Sequence, residues 1–194
     1  MLKSICVFCG SRSGNNPAYA EAARQLATEF CTREQALIYG GGSVGLMGVL
    51  AETMLENGGE VIGVIPQFLA TKELLHAGVT DMRIVDSMHT RKATMASLAD
   101  AFIALPGGFG TFEELLEMIT WSQLGIHRKP IGILNTEGFY DNFIAFLQTA
   151  SENDFFPIIQ MDLFVVKPTV ESLLQSMDDF VAPTLPKFAS LEKT

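Results

Sequence analysis

The sequence is poor in positive charge: 13 Lys and Arg stand against 22 Asp and Glu in 194 residues, a formal net charge of −9. That balance excludes a protein that coats nucleic acid or an anionic membrane, since both need a broad cationic face. There are only three cysteines, at positions 6, 9 and 31, and an odd number in apolar or helical surroundings implies reduced thiols and a cytoplasmic location. The histidines, His76, His89 and His127, occur singly, without the i, i+4 pairing or cysteine neighbours of a zinc site, so no metal is expected. No apolar run approaches the ~18 residues of a membrane span, and Met1-Leu2-Lys3-Ser4 leads directly into a strand-like stretch. What the chain does have is core: 48% of residues are hydrophobic, 18% are charged and the mean hydropathy is +0.26. A chain of this length and balance builds one compact domain without staples.

Apolar, β-rich runs at 4–9, 36–39, 60–65, 83–86, 101–105, 130–134 and 163–166 alternate with helical stretches at 17–32, 45–57, 90–99, 111–124, 138–151 and 169–180. Runs such as Ala101-Phe102-Ile103-Ala104-Leu105 are apolar throughout, the pattern of strands covered by helices on both faces. The expected fold is α/β: a single-domain, Rossmann-like three-layer sandwich with a mainly parallel sheet of about seven strands. It spans residues 1–180, and residues 181–194, which contain Pro183 and Pro186, read as an extended or frayed C-terminal tail. Cys6 and Cys9 form a C-x-x-C, but inside a strand residues three apart face opposite sides, so they read as core cysteines and not as a redox pair.

In such folds ligands bind at the carboxyl ends of the strands. Three of those ends are unusual: Cys9-Gly10-Ser11-Arg12-Ser13, Gly40-Gly41-Gly42-Ser43-Val44-Gly45, and Pro106-Gly107-Gly108-Phe109-Gly110-Thr111. The second satisfies G-x-G-x-x-G formally, yet the next strand ends Val64-Ile65-Pro66-Gln67 without the acidic residue that binds a dinucleotide ribose. Neither glycine-rich loop is followed by Lys-Ser/Thr, which removes a Walker loop as well. The third end lets backbone approach a ligand closely while the following helix presents free N–H groups, a phosphate cradle without a lysine.

Charged side chains cluster near these ends in the sequence. Arg91 and Lys92 open the helix expected at 90–99, where two cations oppose the helix dipole, a cost that suggests an anionic partner; Arg12 is a weaker third cation. Thr111-Phe112-Glu113-Glu114 reads as a capping box in which Glu114 satisfies a backbone N–H. Glu114 and Glu117 nevertheless share one helix face, while Leu115, Leu116, Met118 and Ile119 supply the apolar side. Trp121, Phe112 and Met118 read as core or subunit interface, and His89 as a loop residue or a wall of the site.

Pro106-Gly107-Gly108-Phe109-Gly110-Thr111-Phe112-Glu113-Glu114 matches PGGxGTxxE. Together with Met88-His89-Thr90-Arg91-Lys92, Gly40-Gly41-Gly42 and Trp121-Ser122-Gln123-Leu124-Gly125-Ile126-His127, from about residue 3 to residue 180, it resembles the Lonely Guy (LOG) family. That resemblance implies a homodimeric cytokinin riboside 5′-monophosphate phosphoribohydrolase with no cofactor, acting on a small-molecule nucleoside monophosphate. It further implies Glu114 and Arg91 as catalytic residues and a phosphate on Gly107, Gly108, Gly110 and Thr111 with Lys92 nearby. Glu73 and Thr120 are implied at the adenine end, and Met88, Glu113, Glu117, Gly41, Gly42 and Ser11 as further substrate contacts. Two alternatives stay open: an AMP nucleosidase, and a non-catalytic nucleotide- or cofactor-binding protein such as the molybdenum-cofactor carriers. A pyridoxal-phosphate decarboxylase would need a Schiff-base lysine, and only Lys92 falls near the glycine loops, so that label has no chemical basis. No motif marks the wall that would select an N6 substituent.

Overall fold

Ala101–Ala104 (β5) is buried at every position, and the same holds for Val61–Pro66 (β3) and Ile131–Leu134 (β6). Backbone this deep satisfies its polar groups only by pairing on both sides. The remaining strands, β1 (Ser4–Phe8), β2 (Ala36–Tyr39), β4 (Asp81–Val85) and β7 (Val165–Lys167), complete one seven-stranded sheet in the order β4-β3-β2-β1-β5-β6-β7. Every neighbouring pair is parallel. The computed structural model describes residues 2–71, 75–79 and 81–185, so the expectation for Glu73 lies outside the described residues.

The helices are α1 (Pro17–Thr32), α2 (Gly45–Glu56), α3 (Met88–Leu98), α4 (Phe109–Gln123), α5 (Asp141–Glu152) and α6 (Val170–Asp178). Side chains along β1 alternate between two core layers. Ile5, Val7 and Cys9 join Leu26 and Phe30 of α1, Leu50 of α2 and Leu173 of α6; Cys6 and Phe8 join Met95 of α3 and Leu115 and Met118 of α4. The two cysteines thus lie on opposite faces of the sheet, both buried and both free. Phe112 stacks on Phe143 of α5 with ring centroids 6.2 Å apart, and Trp121 is half-buried at the edge of the second layer.

Most boundaries fall where the sequence places them, and two of the departures matter for the site. Helix α3 starts at Met88 because the Ser87 hydroxyl accepts the Thr90 N–H and caps the helix there. Arg91 and Lys92 therefore follow its first three residues instead of opening it, and the expected conflict with the dipole does not arise. Helix α4 starts at Phe109, with Gly108 as its N-cap and no side-chain capping bond. The Thr111–Glu114 capping box does not form, and Glu114 faces the protein interior from within the helix. Elsewhere α5 starts late because Thr136–Gly138 winds as a 3-10 turn with Glu137 at φ 54°, and β7 starts late because Ile158–Leu163 does the same. Residues 181–185 form neither helix nor strand, and Leu185 packs against the second core layer. Among the described residues no helix is long and apolar enough to cross a membrane.

Candidate active site

Chain progression reverses between β1 and β5, so the connections leaving their carboxyl ends part there and leave a crevice. The loops 10–14 and 106–108 line a cavity of about 260 Å³ at that point, closed at the side by Tyr19, Leu46 and Phe139. The Gly10 N–H donates to the Pro106 carbonyl at 3.1 Å and ties the two loops together. Tyr19 and Phe139 meet edge to face, with centroids 5.7 Å apart. Ser11, Gly107 and Gly108, three of the expected contacts, belong to this lining, and among the described residues Arg12 is its single charged side chain.

The PGG segment is shaped for close approach. A Cβ on Gly107 would lie 2.1 Å from the Thr111 hydroxyl, which is buried and folds back against the loop. A Cβ on Gly108 or Gly110 would meet nothing within 4 Å. The protein itself does not crowd those two glycines, and what they leave open is backbone at the N-terminus of α4, where N–H groups and the positive helix end favour an anion.

A second group of side chains lies between α3 and α4. The Arg91 Nε–H donates to the Val64 carbonyl at 3.0 Å, and Nη2 donates to the Gly40 carbonyl at 3.2 Å. Its Nη1 is 3.4 Å from Glu114 Oε1 and 4.0 Å from the Met88 sulfur. Both partners of the ion pair are nearly buried, with side-chain exposures of 11% and 10%. One residue on, the buried Lys92 ammonium donates to Glu113 and, at 3.0 Å, to Glu117. The like charges foreseen on α4 are thus separated by two cations from α3, and neither cation is left uncommitted.

The electrostatics follow from burial. Loss of solvent raises the Glu114 carboxyl from its ordinary 4.5 to about 7; the Arg91 guanidinium pulls it back only in part. Burial also raises the thiols of Cys6 and Cys9, and the Glu114 charge adds to this, so neither is a reactive thiolate. For Lys92, burial works to lower the ammonium, but the hydrogen bonds to Glu113 and Glu117 outweigh it and hold the group above its ordinary range. A pyridoxal Schiff base needs a free amine, and an ammonium fixed between two carboxylates does not fit that cofactor.

Other expected residues stand apart. Gly41 and Gly42 are buried beneath residues 75–76: the His76 N–H donates to the Gly41 carbonyl and Gly42 pairs with Leu75. Thr120 is exposed on α4, and its hydroxyl donates to the Leu116 carbonyl. His89 is exposed, whereas His127 faces the Met118 carbonyl and packs on Phe102. No group of metal-ligating side chains assembles among the described residues. The sequence reading missed Tyr19 and Phe139, which carry no motif; only the position of Phe139 after β6, next to β5, hints at its place. It also missed the Val64 and Gly40 carbonyls that hold Arg91, because backbone acceptors leave no trace in residue types.

Residues 47–177 match the family described as "possible lysine decarboxylase". The chain is 49% identical over 180 residues to the cytokinin riboside 5′-monophosphate phosphoribohydrolase LOG2 of Arabidopsis thaliana, covering 93% of this chain and 84% of that one. It is 51% identical over 176 residues to the probable enzyme of the same name, LOGL1, of Oryza sativa subsp. japonica, covering 91% and 79%. The chain belongs to the LOG family. More distant structures share the fold alone. One is a Moco carrier protein from Chlamydomonas reinhardtii, with a TM-score of 0.68, 19% identity and coverage of 93% and 98%. Another is a molybdenum cofactor binding protein from Rippkaea orientalis, with a TM-score of 0.69, 18% identity and coverage of 92% and 97%. The PGGxGTxxE segment of this LOG protein is therefore the stretch that joins its crevice, through Gly107 and Gly108, to its buried carboxyl, Glu114.

Proposed function

We propose that the protein hydrolyses the N-glycosidic bond of N6-modified adenosine 5′-monophosphates, releasing the free base and ribose 5-phosphate. The observation that carries this reading is Glu114, a carboxyl raised to about 7 against a fixed guanidinium, on the helix whose N-terminus borders the glycine crevice. Breaking the bond between C1′ and the base nitrogen builds positive charge on the ribose, and a carboxylate at that carbon stabilises it. Water supplies hydroxide to C1′ and a proton to the departing base, and a group that titrates near neutrality is suited to take a proton from water and pass it on. In this reading the phosphate lies on Gly107, Gly108, Gly110 and Thr111, and Arg91 steadies the base or fixes the ligand. Lys92 keeps Glu113 and Glu117 from repelling the phosphate. Met88, Ser11, Gly41, Gly42 and Thr120 remain substrate contacts of the proposal. The names of the plant relatives support the substrate class.

A homodimer goes with this reading. Leu116 on α4, Leu124 and Ile126 after it, Phe146 on α5 and Phe155 and Ile158 beyond are all exposed apolar side chains, suited to contact with a second copy. A cytoplasmic location goes with it too and rests on the three free thiols.

The test is one panel: AMP, N6-isopentenyl-AMP, the corresponding riboside, CMP and GMP, assayed for released base and ribose 5-phosphate. Preference for the N6-modified monophosphate over its riboside supports the proposal. Equal turnover of AMP replaces it with an AMP nucleosidase, and tight binding without sugar phosphate release replaces it with a carrier.

A further inference from the structure

The three consecutive glycines after β2 differ in why they are glycine. Gly41 has φ +76°, a conformation that strains any residue with a side chain. Gly40 has no such requirement, since its φ is not among the positive values. What a side chain at position 40 meets is Arg91: a Cβ there would lie 2.0 Å from Nη2 and 3.3 Å from Cζ of the guanidinium. The next neighbour is the sulfur of Met47 at 3.2 Å, the mobile end of a flexible side chain. The same residue supplies the carbonyl that accepts from Nη2, while Val64 on the adjacent strand accepts from Nε. Two of the three guanidinium nitrogens are therefore spent on carbonyls just after β2 and within β3, and the third is aimed at Glu114.

We infer that Gly40 is a positioning residue for the reaction: its missing side chain is the niche that seats the Arg91 guanidinium against Glu114, and it holds no part of the substrate. The inference rests on the proposed hydrolysis only in its kinetic readout. A methyl group at position 40 displaces a flexible side-chain end and no backbone, so the fold survives while the guanidinium leaves its two carbonyls. Glu114 then loses its nearest cation. Among the described residues the charged groups left around it are Lys92 from α3 and Glu113 and Glu117 on its own helix, with the neutral thiols of Cys6 on β1 and Cys9 just after it. The loss of Arg91 from this set favours the protonated carboxyl, and the limb of the pH–rate profile governed by Glu114 moves to higher pH.

The test is a double-mutant cycle on the full chain with Gly40→Ala, Arg91→Ala and the pair, read by kcat for N6-isopentenyl-AMP and by the pH dependence of kcat/KM. The expected result is that Gly40→Ala loses at least tenfold in kcat with its limb shifted upward. In the Arg91→Ala background the same change costs less than twofold, because the group it displaces is gone. Losses that multiply, or a limb that stays in place, overturn the inference. A readout free of catalysis runs beside it: the Arg91 Nε–H resonance, assigned by its absence in Arg91→Ala, is protected from exchange in the wild type and loses that protection in Gly40→Ala. An unchanged resonance also overturns the inference. If the wild type releases no base, the proposed function fails, and the resonance alone still decides the niche.

Discussion

The crevice at the β1/β5 reversal and the charge cluster between α3 and α4 are built on opposite terms. The crevice is open and lined mainly by loop backbone and apolar side chains, with Arg12 as its one charge among the described residues. The cluster is nearly buried at Arg91, buried at Lys92 and Glu114, and open to solvent at Glu113, and each of its cations already faces a carboxylate. Backbone N–H groups at a helix end attract an anion without a committed counter-charge. Charges placed in a low-polarity interior must be neutralised in advance, and once neutralised they need no reorganisation when charge develops nearby. The first region suits holding a ligand, the second suits acting on it.

That contrast breaks most readily at Glu114. Glu114→Gln lowers turnover by roughly 10² to 10⁴-fold, the range for a positioned acid or base, while circular dichroism shows the fold intact; near wild-type rates would leave Glu114 a structural residue. Arg91→Ala follows, with a loss of roughly 10- to 150-fold in kcat/KM, as expected for a charge-assisted bond worth about 1.5–3 kcal/mol; an unchanged value removes Arg91 from the mechanism.

A third measurement asks whether the cluster carries an electrostatic cost. Because the folded carboxyl of Glu114 is raised from 4.5 to about 7, the native state holds its proton more tightly than the unfolded chain does. The associated stability is fully present below pH 4.5 and is lost as the pH rises through about 7. Denaturant unfolding of wild type and Glu114→Gln therefore shows the variant gaining on the wild type by roughly 3 kcal/mol between those limits, and parallel curves would contradict the burial argument. The smallest effect belongs to the crevice: Arg12 is exposed, and an exposed cation contributes about 1 kcal/mol or less. Arg12→Ala raises KM for the monophosphate by up to about fivefold without changing kcat, and a fall in kcat instead would place Arg12 beside the reacting atoms.

The strands and their parallel sheet were legible because β5, β3 and β6 have sequences that only a doubly covered sheet can bury, and the expected runs fell within a few residues of the observed strands; the order of the strands in the sheet was not. Helix starts were less legible. A capping box is a local pattern, and at 111–114 it lost to a start at Phe109, soon after the end of β5, with Gly108 as an extended N-cap. At 87–92 a true cap, Ser87, was passed over, and with it went the notion of cations exposed at a helix end. Among the site residues, the types and spacing of Glu114, Arg91 and the PGG loop pointed to their neighbourhood, but spacing could not say that Lys92 serves Glu113 and Glu117.

By itself the sequence determined the alternating elements, the parallel sheet, the glycine-rich ends and the family to which the chain belongs, since these depend on local periodicity and contiguous motifs. Only the tertiary structure decided which charges meet. Residues 40, 64, 91 and 114 lie far apart along the chain, and burial together is what lifts the Glu114 carboxyl to about 7, because the strength of a charge interaction is set by distance and by the solvent excluded around it.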